Sequence, residues 1–169
     1  DSTKTETLQA VEPFANSLVL RLKQDLKDGK IIFGGFLTNK QQVLNTNYLR
    51  SSFVSKANVM GVDFEYALPD PAWVVSGYTA TSTLLGTEKI ISEIQRNSAH
   101  YFQRPDDKIT LDTTKTQLDG TSSELSLTKI SGKNIKGSFT YRKISPGYDI
   151  NELGYIRSAN TKQLKSYIE

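Results

Sequence analysis

Along this 169-residue chain the connections alternate short and long. Lys27-Asp28-Gly29-Lys30, Leu68-Pro69-Asp70-Pro71 and Ser131-Gly132-Lys133-Asn134 read as tight turns, while long polar connections lie near residues 41–51, 86–121 and 145–161. Between them, apolar and polar residues alternate with the period of two that sends successive side chains to opposite faces of a strand. A chain that crosses a layer repeatedly, with tight turns on one side and long loops on the other, has the rhythm of an outer-membrane β-barrel. The expected fold is all-β: an antiparallel up-and-down meander forming one partial β-barrel domain over residues 1–169, with a short helical or irregular segment in the longest loop.

Composition narrows the classes without choosing among them. Only 37% of the residues are hydrophobic, too few for a helical membrane protein. A membrane helix needs about 18 or more consecutive apolar residues, and no such run exists. A membrane barrel escapes that exclusion because only every second strand residue must be apolar. The net charge of +3 is modest and dispersed, without the dense Lys/Arg cluster expected of a nucleic-acid partner. With no cysteine there is neither a disulfide framework nor a thiolate metal site. The polar start, Asp1-Ser2-Thr3-Lys4-Thr5-Glu6-Thr7, lacks the apolar core of a signal peptide. The end, Lys165-Ser166-Tyr167-Ile168-Glu169, stops inside a β-like pattern. Both ends read as cut, so the expectation is an interior fragment of a longer exported protein.

Six strands and the start of a seventh follow from the alternation. The first covers about residues 15–26, with Leu18, Leu20 and Leu22 on one face and Val19, Arg21 and Lys23 on the other; Asp28-Gly29 supplies hairpin turn chemistry. The second covers about residues 31–39, where Gly34-Gly35 predicts a bend or bulge. The third ends with Met60, Val62, Phe64, Tyr66 and Leu68 opposite Gly61, Asp63 and Glu65, and its start extends back to about Ser52. Pro69 and Pro71 force a turn because neither can donate to a ladder. The fourth covers about residues 72–84, with Trp73, Val75 and Gly77 against Val74, Ser76 and Tyr78. The fifth, about residues 122–130, sets Leu125 and Leu127 against Glu124, Ser126 and Thr128; the sixth, about residues 135–143, sets Ile135, Gly137, Phe139 and Tyr141 against Lys136, Ser138, Thr140 and Arg142. The seventh begins near Thr161. Residues 88–96 break the pattern: Ile90, Ile91 and Ile94 share one face of a short helix, with Thr87 as N-cap.

Alternation alone leaves two architectures open. A barrel turns the Leu, Phe and Tyr face to lipid and encloses Arg21, Lys23, Asp63, Glu65, Glu124, Lys136 and Arg142 in a polar lumen. A soluble sandwich or lipocalin-like barrel buries the apolar face and puts the charges in water. The loop asymmetry, the placement of Tyr66, Trp73 and Tyr141 near strand ends, and an odd strand number that does not close a barrel of the usual even count all lean toward a membrane fragment.

Two loop segments carry a resemblance. Ser98-Ala99-His100-Tyr101-Phe102-Gln103-Arg104-Pro105-Asp106 and Ser145-Pro146-Gly147-Tyr148-Asp149-Ile150-Asn151-Glu152-Leu153-Gly154-Tyr155, with Thr116-Gln117-Leu118-Asp119-Gly120 between them, resemble the hallmarks of an uncharacterised outer-membrane β-barrel family. Phe33-Gly34-Gly35-Phe36-Leu37-Thr38-Asn39 is similar to an early strand of the same family. The resemblance spans about residues 16–160. It implies a barrel that follows an N-terminal domain similar to family 9 carbohydrate-binding modules, a location in the outer membrane of a Gram-negative-type envelope, outer-membrane lipid as partner, and glycans handled by that separate domain.

The candidate site lies in the same loops. His100, the sole histidine, stands with Arg104 and Asp106 in the first, and the second contributes Tyr148, Asp149 and Tyr155. A lone histidine without cysteine makes a poor metal site, so no metal and no cofactor is expected. His100, Tyr101, Phe102, Arg104, Asp106, Tyr148 and Tyr155 are read as loop-structuring or ligand residues, with Arg104 paired to a carboxylate; Tyr101 and Phe102 also suit a sugar-stacking platform. The enzymatic alternative is a polysaccharide hydrolase built from His100, Asp106 and Asp149. Asp63 and Glu65 mimic a glycosidase pair but read first as a row of lumen charges. Asp106, Asp107 and Asp112 lack calcium-loop spacing; Pro146-Gly147 and Gly154 shape a loop and match no phosphate-binding fingerprint. The leading expectation is a non-enzymatic anchor or conduit; a soluble β-sandwich binding module is the remaining alternative.

Overall fold

The computed structural model describes residues 10–70, 72–105, 108–132 and 135–169. Seven strands, β1 (Phe14–Leu26), β2 (Ile31–Val43), β3 (Lys56–Ala67), β4 (Trp73–Leu85), β5 (Gln117–Lys129), β6 (Gly137–Ile144) and β7 (Thr161–Ile168), form one sheet in sequence order. Each pairs antiparallel with its neighbour. The sheet is all-β meander and stays open: β1 and β7 are its edges. Two short helices, α1 (Asn47–Ser52) and α2 (Glu88–Arg96), lie in the long connections.

The tight turns form as their residues dictate. Lys27, Asp28 and Gly29 all take left-handed φ angles, and Gly29 N–H donates to Asp25 Oδ1 at 2.8 Å. At the second turn Ala72 N–H donates to Asp70 Oδ1 at 3.0 Å, and Trp73 N–H to the Asp70 carbonyl. Pro71, Lys133 and Asn134 of the predicted turns lie outside the described residues, as do residues 1–9 and Asp106 and Asp107.

Several boundaries differ from the sequence expectation. The ladder runs through Gly34 and Gly35 in unbroken register, paired to Asp63 and Val62, so no bulge interrupts β2, which continues to Val43. Gly34, and Gly61 on β3, serve close packing instead: a Cβ on Gly34 would meet the Arg21 guanidinium at 2.9 Å, and one on Gly61 would meet the Phe36 ring at 2.7 Å. β3 starts at Lys56, because residues 47–52 form α1, capped by the Thr46 hydroxyl. β5 starts five residues early, at Gln117. Tyr141 sits mid-strand between Leu125 and Leu164 rather than at a strand end.

The two faces are unlike. One carries rows such as Leu20–Leu37–Met60, Phe33–Phe64–Gly77–Leu125–Tyr141 and Tyr66–Val75–Leu127–Phe139. Leu20, Phe64 and Phe139 on this face are 47%, 43% and 51% exposed. The other face carries the polar rows, and at the long-loop end all three connections fold over it. There Ala57, Val59, Ala80, Ser82, Leu84, Leu118 and Ser122 are buried. Two clusters form the core beneath the connections: Ala57, Leu84, Ile91, Phe102 and Leu118 in one, Ala80, Tyr148, Ile156 and Ala159 in the other.

Candidate functional site

The cap is built from helix α2 outward. Thr87 accepts from Ile90 N–H and closes the helix start, as its hydroxyl predicts. Ile91 is then fully buried against the sheet, with Ile90 and Ile94 beside it. Gln95, also fully buried, satisfies its amide on the backbone of Asp112, donating at 2.8 Å to the carbonyl and accepting at 3.0 Å from the N–H. After the helix, Asn97 Oδ1 accepts from Ala99 and His100 N–H, and Tyr101 takes a left-handed φ of 43°. This sharp reversal drives Phe102 into the core and leaves Tyr101 exposed.

His100 lies between the second and third connections. Its Nδ1 meets the Pro146 carbonyl at 2.7 Å and its Nε2 meets Asp149 Oδ2 at 2.7 Å. A carbonyl can only accept, so Nδ1 carries a hydrogen. Burial raises the Asp149 carboxyl, but hydrogen bonds from His100 and from the Asn151 N–H outweigh it and hold Asp149 below the usual carboxylate range. Asp149 is further fixed by its own N–H, which donates to Ser82 Oγ at 2.9 Å, and by an Asx turn to Asn151 N–H at 2.7 Å. His100 and Asp149 are 1% and 3% exposed: the pair is a buried clasp between the second and third connections.

Around it the three connections interlock. Ala159 N–H donates to the Ala99 carbonyl at 2.7 Å, and Thr87 Oγ1 donates to the Arg50 carbonyl at 3.2 Å. Lys40 and Gln42 of β2 both reach Glu152 of the third connection, at 2.7 and 3.1 Å. Gly120 and Gly147 let this connection lie directly on β5. A Cβ on Gly120 would fall 2.0 Å from Tyr148 N, and one on Gly147 would fall 2.2 Å from the Asp119 carbonyl oxygen.

Of the residues singled out from sequence, His100 and Asp149 come together, Phe102 and Tyr148 enter the core, and Tyr101 and Tyr155 stay exposed. Phe102 is thereby withdrawn from any stacking platform. Arg104 has no ion pair among the described residues, so the carboxylate pairing expected for it is not seen there. Asp106 lies outside them. Asp63 and Glu65 share the polar face, with Asp63 holding the Arg21 guanidinium, one bond at 2.8 Å. Among the described residues no three His, Cys, Asp or Glu side chains gather as a metal site. Sequence reasoning missed Ser82, Gln95, Asn97 and Asn151. The one available signal was the run of small residues through Ala80, Ser82, Gly120 and Ser122 on alternate positions, which marks a strand face something lies against.

Over its whole length, residues 1–169, the chain matches a family model described as a domain of unknown function, DUF5916. No curated protein matches it, and no solved structure does.

Proposed function

The chain belongs to the DUF5916 family, and we propose that it serves there as a partial outer-membrane β-barrel domain, a non-enzymatic anchor or conduit. Its apolar face meets lipid, its polar face borders water, and the interlocked connections cap one end. The observation that carries this reading is the exposure pattern. The chain buries its small and polar face under the loops and leaves Leu20, Met60, Val62, Phe64, Leu125 and Phe139 uncovered on the other. Covering each large apolar side chain is worth about 1.5–3 kcal/mol, and apolar patches of this extent mark membrane or partner surfaces. A soluble sandwich would need a second layer on that face, and the described residues form one sheet. The enclosure of His100 and Asp149 favours a structural role for the pair over the hydrolase alternative. Through the resemblance in its loops, the domain would present a separate glycan-binding or glycan-processing domain at the Gram-negative-type outer membrane.

Trp73 is the sole tryptophan and opens β4 at the tight-turn end, where a barrel places its interfacial aromatics. In the full chain reconstituted into bilayers, its fluorescence should be quenched more by lipids brominated near the headgroup than by lipids brominated at the chain end. A protein that is monodisperse in buffer without detergent, with Trp73 unquenched by either lipid, would remove the reading.

A further inference from the structure

We propose that a cavity of about 270 Å³ between the third connection and the polar face of β4–β7 binds a small hydroxylated carboxylate, one sugar ring in size. Its walls hold two guanidinium groups of different standing. Arg142 leans on the Tyr78 hydroxyl, with Nε and Nη2 at 3.3 and 3.2 Å, and touches Glu124 at 3.2 Å. Arg157, exposed at the mouth, has neither a carboxylate nor a hydrogen-bond partner among the described residues. Two cations against one carboxylate leave the cavity net positive. Guanidinium forks match planar carboxylates in bidentate geometry.

The remaining lining suits the rest of such a ligand. Tyr155, at the rim, is 79% exposed and presents a free aromatic face, the kind of surface on which the apolar side of a sugar ring packs. Gln163 and Ser158 offer hydroxyl partners, and Thr161 Oγ1 in the same wall is buried without a hydrogen-bond partner. Burial keeps the Tyr148 hydroxyl protonated above its ordinary range, available as a donor. The volume is at the small end for ligand sites, which limits the occupant to one ring. Glu124 beside Arg142 weakens the field, which favours a singly charged carboxylate over phosphate. This inference is independent of the lipid reading, since neither the cavity nor its charges lie on the apolar face.

The test is calorimetric titration of the detergent-solubilised full chain with glucuronate, glucose and inorganic phosphate. Glucuronate should bind at least tenfold more tightly than glucose or phosphate. Arg157→Gln, which breaks no hydrogen bond or ion pair among the described residues, should weaken glucuronate about tenfold, and Tyr155→Ala several-fold, with unchanged thermal unfolding in both. Glucuronate no tighter than glucose, phosphate equal to glucuronate, or undiminished binding in both variants would overturn the proposal.

Discussion

The polar face of this sheet is two surfaces at its two ends. Under the connections it carries Ala57, Ala80, Ser82, Gly120 and Ser122, buried and small; toward the tight turns it carries Arg21, Lys23, Asp63, Glu65 and Glu124, charged and open to water. The strands, register and pleat are continuous between them. A single-layer meander has no core of its own, so the chain makes one only where its connections fold back. Side-chain size on that face is set by what lies above it, and the buried core of the described residues is concentrated at the capped end.

The largest effect should come from Gly120→Ala. The new methyl would fall 2.0 Å from Tyr148 N and 2.2 Å from Tyr148 Cα, backbone atoms that can only move with the whole connection. A loss of about 3–4 kcal/mol in urea unfolding is expected, with hydrogen exchange accelerated across residues 145–159. Gly35→Ala, whose Cβ would meet the Gly61 carbonyl at an ordinary 3.5 Å, should be neutral or stabilise by about 0.5 kcal/mol. Because both are the same substitution, unfolded-state entropy cancels between them. Equal effects would mean that the cap is no more demanding than the rest of the sheet.

Next in size is the clasp. His100→Ala strands the Asp149 carboxylate in a buried site and should cost about 3 kcal/mol. The same contact predicts a pH dependence. Asp149 is held below the usual carboxylate range in the fold, so its contribution is present above that range and is lost as pH falls through the folded value. Amides of residues 97–102 and 145–159, corrected for intrinsic rates, should lose protection below about pH 4. In His100→Ala this acid step should shrink. An acid step of undiminished size would place the pH sensitivity elsewhere.

How much of this was legible follows the same division. At the tight-turn end β1, β3, β5 and β6 alternate Leu, Phe or Tyr with charge and are plain from period two alone. At the capped end the alternation is between small buried residues and exposed polar ones. In Gln117-Leu118-Asp119-Gly120-Thr121 the inward positions are an isolated leucine and a glycine, so the first half of β5 reads as loop. Helix α1 hides because Thr46 caps a six-residue segment with one buried side chain, Leu49, too short for a period to show. His100 and Asp149 were singled out for their chemistry, yet their pairing across 49 positions is set by the placement of the connections, which no local pattern encodes. Gln95 hides for a related reason, its amide being matched to a distant backbone.

The smallest effect is expected at the open end. Arg21 and Asp63 form a bidentate pair whose side chains are 44% and 29% exposed. Geometrically it is as good as the His100–Asp149 clasp. Water solvates both groups whether or not they meet, so little is gained by pairing. Arg21→Gln should leave the urea midpoint and the hydrogen exchange of the cap unchanged, while His100→Ala moves both. The pair of variants therefore measures solvation rather than hydrogen-bond geometry. If Arg21→Gln proves as costly as His100→Ala, the charged end of the polar face is shielded from water in the intact protein, and the contrast between the two ends fails.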